Sequence, residues 1–231
     1  MQKLRRTGLR SRILFATVLL AFANSGNTSI NSLEHDQRCR ASHSIFETDH
    51  SCKGAKGSLR IEDLTVLDFT IGVTTIKDVQ KRFPGTHLAK LAQGEEAEEG
   101  ICVKNEEGAA VVFATSVMGP GETLTSIYLT PACLVESSRL TCQRVKLPKE
   151  TLSSKSGIAV GGASARLSRI VGAKLPTAGP FCAAYEIDSS QGLLQRRNEM
   201  KLEGFTDFTG AQGVVAKGKL KWVKLFGITS N

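Results

Sequence analysis

The residues with the clearest capacity for chemistry lie near the N-terminus, where histidines and cysteines occur together. Cys39 is followed by His43, and His50 is followed by Cys52. Together with His35, these side chains supply the nitrogen and sulfur donors that zinc binds in proteins. The pattern indicates a candidate metal site. The alternative, which we favour, is a polar segment crossed by a disulfide bond, because export oxidises paired thiols.

The cysteines as a set indicate disulfide bonds. The chain contains six, and an even number in an exported protein is typical of a disulfide framework. Short spacing favours two local bridges, and the remaining two cysteines would then join the two halves of the chain. The predicted pairs are Cys39–Cys52, Cys133–Cys142 and Cys102–Cys182.

A hydrolase would need a nucleophile with a base beside it. His87 is the only histidine outside the N-terminal segment, and it follows the helix-ending pair Pro84–Gly85. The chain contains neither a Gly-x-Ser-x-Gly nor a Ser-x-x-Lys pattern. A triad that includes His87 stays open because its members can be distant in sequence. A solvent-facing loop histidine is the favoured interpretation, so the sequence assigns no catalytic residue.

Two further patterns match ligand sites only in part. Gly161–Gly162 precede a helix but lack the Lys-Ser/Thr of a phosphate-binding loop, which favours a tight turn. Glu95, Glu96, Glu98 and Glu99 lack the interleaved Asp/Asn and Gly of a calcium loop. They indicate an exposed acidic loop. We therefore predict no cofactor and no metal at either place.

Basic residues concentrate near the C-terminus. One interpretation is a surface that binds lipid headgroups, a cell-wall polymer or a partner protein. The favoured interpretation is protection of an edge strand, since lysines discourage edge-to-edge pairing of sheets. The residues are Arg196, Arg197, Lys201, Lys217, Lys219, Lys221 and Lys224.

The first residues have the composition of an export leader. A basic stretch without acids precedes an apolar run from Ile13 to Ala23, and Ala21-Phe22-Ala23 matches a cleavage site. The run is too short for a stable transmembrane helix, so we expect no membrane anchor after cleavage. Arg5–Arg6 resembles a twin-arginine signal, but Gly8 replaces the large apolar residue expected there, which favours the general secretory route. We predict a periplasmic or secreted protein.

Removal of the leader changes the charge balance. The full chain has 30 Lys and Arg against 22 Asp and Glu, a net charge of +8. Five of these cations, Lys3, Arg5, Arg6, Arg10 and Arg12, belong to the leader, which leaves 25 against 22, or +3. So small a net charge does not support a nucleic-acid partner.

The predicted helices and strands must position any functional site, and their order repeats along the chain. Thr75 with Asp78 predicts the start of one helix, which Pro84–Gly85 end. Ser164 is predicted to cap a second helix that ends at Gly172. Three strands are predicted after each helix: 101–104, 109–117 and 123–130, then 181–187, 199–208 and 220–228.

The second helix carries the pattern Gly161-x-x-Ser164-x-x-Leu167, followed by Val171-Gly172. This pattern resembles the helical motif of small outer-membrane-assembly lipoproteins of the SmpA/OmlA type. It also resembles the tandem β-lactamase-inhibitor-protein fold. The resemblance implies a protein-binding scaffold of the cell envelope without enzymatic activity, and it carries over no target and no site residues.

These observations predict an α+β fold with two tandem units, each a helix plus a three-stranded antiparallel sheet, stapled by disulfides. The expected divisions are a signal peptide at 1–23, a polar segment at 24–58, and the two units at 59–147 and 148–231. In the last strand, we expect Leu220, Trp222 and Phe226 to share one face. The expected function is binding or assembly at the bacterial cell envelope, with another envelope or extracellular protein as partner. A secreted hydrolase or metal-dependent enzyme, with its site in the cleft between the units, is the alternative.

Overall fold

The structure is a computed structural model that describes residues 39, 45–46, 52–54, 59–91, 97–116, 122–136, 140–147, 152–186 and 206–230. The chain divides into two units, Met1–Arg40 and Ala41–Asn231, and every element below belongs to the second. Several sequence predictions fall outside the described residues. They concern the leader (1–23), His35, His43, His50, Glu95, Glu96, Arg196, Arg197 and Lys201.

Short helices and longer strands make up the described part of the chain. The helices are α1 (Ile76–Arg82), α2 (Ala132–Glu136) and α3 (Ser164–Val171). The short strands are β1 (Lys53–Gly54), β2 (Thr65–Val66), β3 (Phe69–Thr70), β4 (Ala89–Lys90) and β8 (Gln143–Arg144). The longer strands are β5 (Glu98–Lys104), β6 (Ala109–Ser116), β7 (Ser126–Pro131), β9 (Gly179–Glu186), β10 (Thr206–Ala216) and β11 (Lys219–Ser230).

One mainly antiparallel sheet organises these strands. Its order within the described residues is β1-β9-β10-β11-β7-β6-β5-β4, and β8 also pairs with β5. We call β5–β7 the first meander and β9–β11 the second meander. They join where β11 pairs with β7, with Val223 opposite Leu129. We call this β7–β11 pairing the seam.

The predicted α+β fold class is wrong. The protein is mostly β, with far more strand than helix, and its strands form a large sheet that continues across both meanders. The physical reason is the seam: the last strand of each meander pairs with the other, so neither sheet ends there. A continuous sheet buries apolar surface and satisfies backbone groups that two small sheets would leave at their edges.

Alternating side chains divide the sheet into two faces. Face A packs against α1 and α3 in the larger core cluster, which includes Val111, Phe113, Leu129, Val223 and Leu225. The helices contribute buried residues at helical spacing: Ile76 and Val79 from α1, and Leu167 and Val171 from α3. Face B contributes Val112, Tyr128 and Trp222 to a second cluster, which α2 and the pair Ile45–Phe46 complete.

A β-bulge in β11 changes which residues share a face. Val214 lies opposite Trp222 and Val215 opposite Leu220, so Lys221 is the extra residue of the bulge. The extra residue places Leu220 in the face A cluster and Trp222 in the face B cluster. The prediction that Leu220 and Trp222 share a face is therefore wrong.

The two main helices begin differently. Thr75 caps α1, and Asp78 completes a reciprocal capping box, as its sequence predicts. In α3 the cap is Ala163, without a side-chain hydrogen bond, and Ser164 is the first helical residue. The predicted Ser164 cap is wrong because the Ser164 N–H donates to the carbonyl of Gly218, 2.9 Å away, and starts the helix there.

The predicted disulfide pairs are also wrong. Cys102 bonds to Cys142 and Cys182 bonds to Cys52, while Cys39 and Cys133 are also disulfide-bonded. In each described bridge, one cysteine lies on the outer strand of a meander, β5 or β9. The other directly precedes a short strand, β8 or β1, that pairs parallel to that outer strand. The partner strand, rather than spacing along the chain, brings the two sulfur atoms together.

Five of the six predicted strands agree with the structure within a few residues. The sixth, at 199–208, lies outside the described residues as far as 205, and its predicted end at 208 is too early. The described strand β10 runs from Thr206 to Ala216. In the sequence, the glycines at 210 and 213 indicate a break in the strand. In the structure, they allow the neighbouring strands to approach closely. A Cβ on Gly210 would lie 2.3 Å from the Phe226 ring, and one on Gly213 would lie 2.3 Å from the Trp222 carbonyl oxygen.

Candidate functional site

Two of the candidate zinc ligands are not available to a metal. Cys52 is bonded to Cys182, and Cys39 is also disulfide-bonded, so neither offers a thiolate to a metal. The three accompanying histidines lie outside the described residues. Among the described residues, no group of three or more His, Cys, Asp or Glu side chains is placed to hold a metal ion.

The other sequence candidates lie apart from one another. His87 is exposed in the segment after α1. The Gly161 N–H donates to the Leu220 carbonyl at 2.7 Å, and the Leu220 N–H donates to the Gly162 carbonyl at 2.9 Å. These backbone groups pair with β11 rather than forming a phosphate cradle. Glu98 and Glu99 belong to β5, which corrects their assignment to an exposed loop.

A cluster of polar side chains that sequence reasoning missed lies on face B at the seam. We call Glu98, Ser126, Tyr128 and Lys224 the seam cluster. Ser126 donates to Glu98 Oε1 at 2.7 Å, and the Tyr128 hydroxyl donates to Glu98 Oε2. Lys224 Nζ lies 3.1 Å from Glu98 Oε1 and 5.1 Å from the centre of the Tyr128 ring. The Glu98 carboxylate thus receives hydrogen bonds or charge from all three partners.

Strand register explains this convergence. Tyr128 lies directly opposite Lys224 across the β7–β11 pairing, so both side chains point to face B. Ser126 lies two residues before Tyr128 on the same face. Glu98 reaches them from β5, on the far side of β6. The seam cluster therefore links both meanders through side chains as well as through the backbone.

The seam cluster is largely buried, with the Glu98 side chain 13% exposed. Ser126 and Tyr128 have no exposed surface, and only 8% of Lys224 is exposed. The Phe46 ring packs edge-on against Tyr128, with 5.2 Å between ring centres. The Ser126 hydroxyl donates a hydrogen bond to the Glu98 carboxylate, with which Lys224 also pairs. The geometry is that of a satisfied buried ion pair, in which the lysine charge is used to neutralise Glu98.

The interpretation that the C-terminal lysines protect an edge strand is wrong. Strand β11 lies between β10 and β7, so it has no free edge to protect. Lys224 is buried in the seam cluster, whereas Lys217 and Lys219 are exposed at the turn between β10 and β11. Their charges face solvent.

Further exposed cations lie on α3 and in the segment after it, and both of these contact that turn. Gly218, between the two lysines, accepts from the Ser164 N–H at 2.9 Å and donates to the Thr177 carbonyl at 2.8 Å. These bonds hold the turn against the start of α3 and the segment that follows the helix. We call the following exposed residues the basic surface: Arg166, Arg169, Lys174, Lys217 and Lys219.

The sequence contains signals for both the seam cluster and the basic surface. Lys224 sits among Val223, Leu225 and Phe226, and a lysine with apolar neighbours on both sides suggests a buried partner. The partner itself could not be found, because Glu98 belongs to a distant strand. The α3 cations were missed as part of the basic surface because only tertiary contacts bring the helix to the β10–β11 turn.

Comparison of the chain with models of known protein families, with curated proteins and with solved structures gives no match.

Proposed function

We propose that this chain is an exported protein of the bacterial cell envelope that acts by binding and performs no reaction. The observation that carries the proposal is the contrast between its two polar features. The seam cluster, which contains a serine, a tyrosine and a lysine, is buried and mutually satisfied. The basic surface is exposed.

The disulfides support the location. Three disulfides are present in the protein, which is typical of folding in an oxidising compartment. The leader-like sequence at 1–23 supports export to such a compartment. Among the helices that the structure describes, none combines the length and hydrophobicity needed to span a lipid bilayer.

The absence of an accessible nucleophile in the seam cluster supports binding over hydrolysis. An acyl-transfer serine needs solvent and substrate access, a base free to accept its proton, and donors for the developing oxyanion. Ser126 has no exposed surface, and its hydroxyl is held by Glu98. The resemblance of the Gly161–Gly172 segment to envelope-assembly lipoproteins supports the same class of function.

Expression of the full chain in a Gram-negative host tests both parts of this proposal. We expect mature protein that begins after Ala23 in the periplasmic extract, by intact mass. We also expect the oxidised protein to sediment with isolated cell envelopes, while a reduced and unfolded sample serves as the control for non-specific adhesion.

A fluorophosphonate probe tests the alternative of a hydrolase at the seam. We expect no label on the folded protein. Labelling that disappears in Ser126→Ala would contradict the binding proposal and favour the enzyme. Retention of an intact leader, or no retention by envelopes under any condition, would contradict the proposal as well.

A further inference from the structure

Apart from Glu186 at the end of β9 and Asp207 near the start of β10, the strands of the second meander and the chain around α3 carry only positive charges. No aspartate or glutamate occurs from Leu152 to Tyr185 or from Phe208 to Ser230. Basic residues in the same ranges are Lys155, Arg166, Arg169, Lys174, Lys217, Lys219, Lys221 and Lys224. By contrast, acidic and basic residues are interspersed through the described part of 59–147. The small net charge of the mature chain therefore conceals a strongly uneven distribution.

The charges of the basic surface are not neutralised within the described chain. Lys155 pairs with Asp68 at 3.2 Å, Lys224 pairs with Glu98, and Lys221 is only partly exposed, so these three are excluded from the surface. The Arg166 guanidinium donates to the Ser156 carbonyl, which fixes its position but leaves its charge. The other four members form no ion pair with a described residue. Together the five cations create a positive potential that counter-ions or a partner must balance.

The backbone arrangement at the start of α3 does not require the positive charge of the basic surface. At the corresponding place in the first meander, the N–H of Ile76, the first residue of α1, donates to the Glu122 carbonyl. The third residue of that helix is Asp78, whereas Arg166 is the third residue of α3. Lys77 is paired there with Glu122. The same backbone arrangement thus folds with mixed charges around α1 and with positive charges around α3.

The side chains of the basic surface indicate the kind of partner. Protein interfaces depend on aromatic and other large apolar anchors and are depleted in lysine. The exposed large hydrophobic residues of the described chain are Ile61, Val73 and Leu88, all outside the basic surface. A surface that inserts into a membrane also needs an apolar face. Lysine is a mobile point charge, suited to repeated and evenly spaced anions.

We propose that the basic surface binds a linear anionic polymer that carries phosphate, sulfate or carboxylate groups. This inference rests on the proposed binding function and names its partner class. The association is electrostatic, so it weakens as salt screens the charges, and it tolerates variation in polymer sequence or linkage.

Two variants with equal net charge test the inference. The first removes four cations from the basic surface and keeps Arg166, which holds Ser156. Asn is used at position 217 because Lys217 has φ +50°, a conformation that Asn tolerates. The changes are Arg169→Gln, Lys174→Gln, Lys217→Asn and Lys219→Gln.

The matched control removes four exposed cations from the region of the first meander. Equal thermal midpoints of both variants and the parent protein show that folding is unaffected. The control changes are Lys81→Gln, Arg82→Gln, Lys90→Gln and Arg144→Gln.

Binding is measured to heparin and to inorganic polyphosphate at several salt concentrations. We expect the basic-surface variant to lose affinity by about tenfold or more, and the slope of log affinity against log salt to fall by up to about four. The control should change by less than about twofold. Equal loss in both variants, binding without salt dependence, or binding to anionic lipid vesicles but to neither polymer would overturn the inference.

The envelope sedimentation experiment separates this inference from the proposed function. If the basic-surface variant still sediments with envelopes like the parent, the binding function stands and the basic surface is the wrong site. If neither protein sediments and neither polymer binds, both proposals fail.

Discussion

The two meanders share a brace at their outer strands and differ in their charge. In the first, Cys102 on β5 is bonded to Cys142, and β8 pairs with β5 directly after that bridge. In the second, Cys182 on β9 is bonded to Cys52, and β1 pairs with β9 directly after that bridge. Each brace covers part of a sheet edge with a covalently held parallel strand, which blocks pairing with another chain.

The hydrogen bonds before each helix are also shared. The Gly72 N–H donates to the Leu124 carbonyl at 2.9 Å, as the Gly161 N–H donates to Leu220. Both glycines have positive φ, 78° and 76°. What differs is the charge around these bonds, with Asp78 in one helix and Arg166 in the other. The comparison shows that backbone pairing and disulfides constrain the fold, whereas the surface charge can differ between the meanders without changing it.

The largest expected effects come from removing the braces. Replacing both Cys52 and Cys182 with Ala opens a loop of 130 residues, and replacing Cys102 and Cys142 opens one of 40. Loop-closure entropy predicts losses of about 5 and about 4 kcal/mol in the free energy of unfolding. Urea unfolding of the oxidised variants measures both. A larger loss for the shorter loop would show that burial of that bridge, rather than loop length, determines its contribution.

The next effect concerns the seam. Lys224→Met leaves the Glu98 carboxylate buried without its cation, and we expect a loss of about 3–5 kcal/mol in the free energy of unfolding. Adding Glu98→Gln should recover part of that loss, because the amide carries no charge to neutralise. Lys219→Met, on the same strand but exposed, is the control and should change stability by less than about 0.5 kcal/mol. Equal effects of Lys224→Met and Lys219→Met would show that the seam cluster contributes nothing.

The smallest effect concerns the helix starts. Thr75→Ala removes the capping box of α1 and should cost about 1 kcal/mol. Ala163→Ser supplies the side-chain acceptor that α3 lacks and should raise stability by about 0.5–1 kcal/mol. Thermal unfolding midpoints measure both changes. If Ala163→Ser destabilises the protein, the start of α3 is fixed by its bonds to Gly218 and has no use for a cap.

Local features of the fold could be predicted from sequence. Strand β6 was found because its apolar run is bounded by turn residues, and the α1 start was found because Thr75 and Asp78 have capping-box spacing. The end of β10 was predicted too early because glycine is depleted in strands, and Gly210 and Gly213 are explained only by the close approach of β9 and β11. Local propensity decides the first two features, while contacts from another strand decide the third.

Long-range pairing could not be predicted. The seam joins strands that are separated by the whole of α3, β9 and β10, so no local pattern encodes it. The disulfides depend on that pairing, and so does the contact of Lys224 with Glu98. The wrong fold class and the missed seam cluster have the same cause, because local sequence does not show which strands become neighbours.

Peptide mapping of the unreduced protein, recovered from an oxidising compartment, tests the central claim most directly. That claim is an exported protein with one continuous sheet, whose outer strands are each cross-linked to a short parallel strand. Linked peptides containing Cys52 with Cys182 and Cys102 with Cys142 are the predicted result. Peptides linking Cys39 to Cys52 or Cys133 to Cys142, or free thiols at these positions, would contradict it.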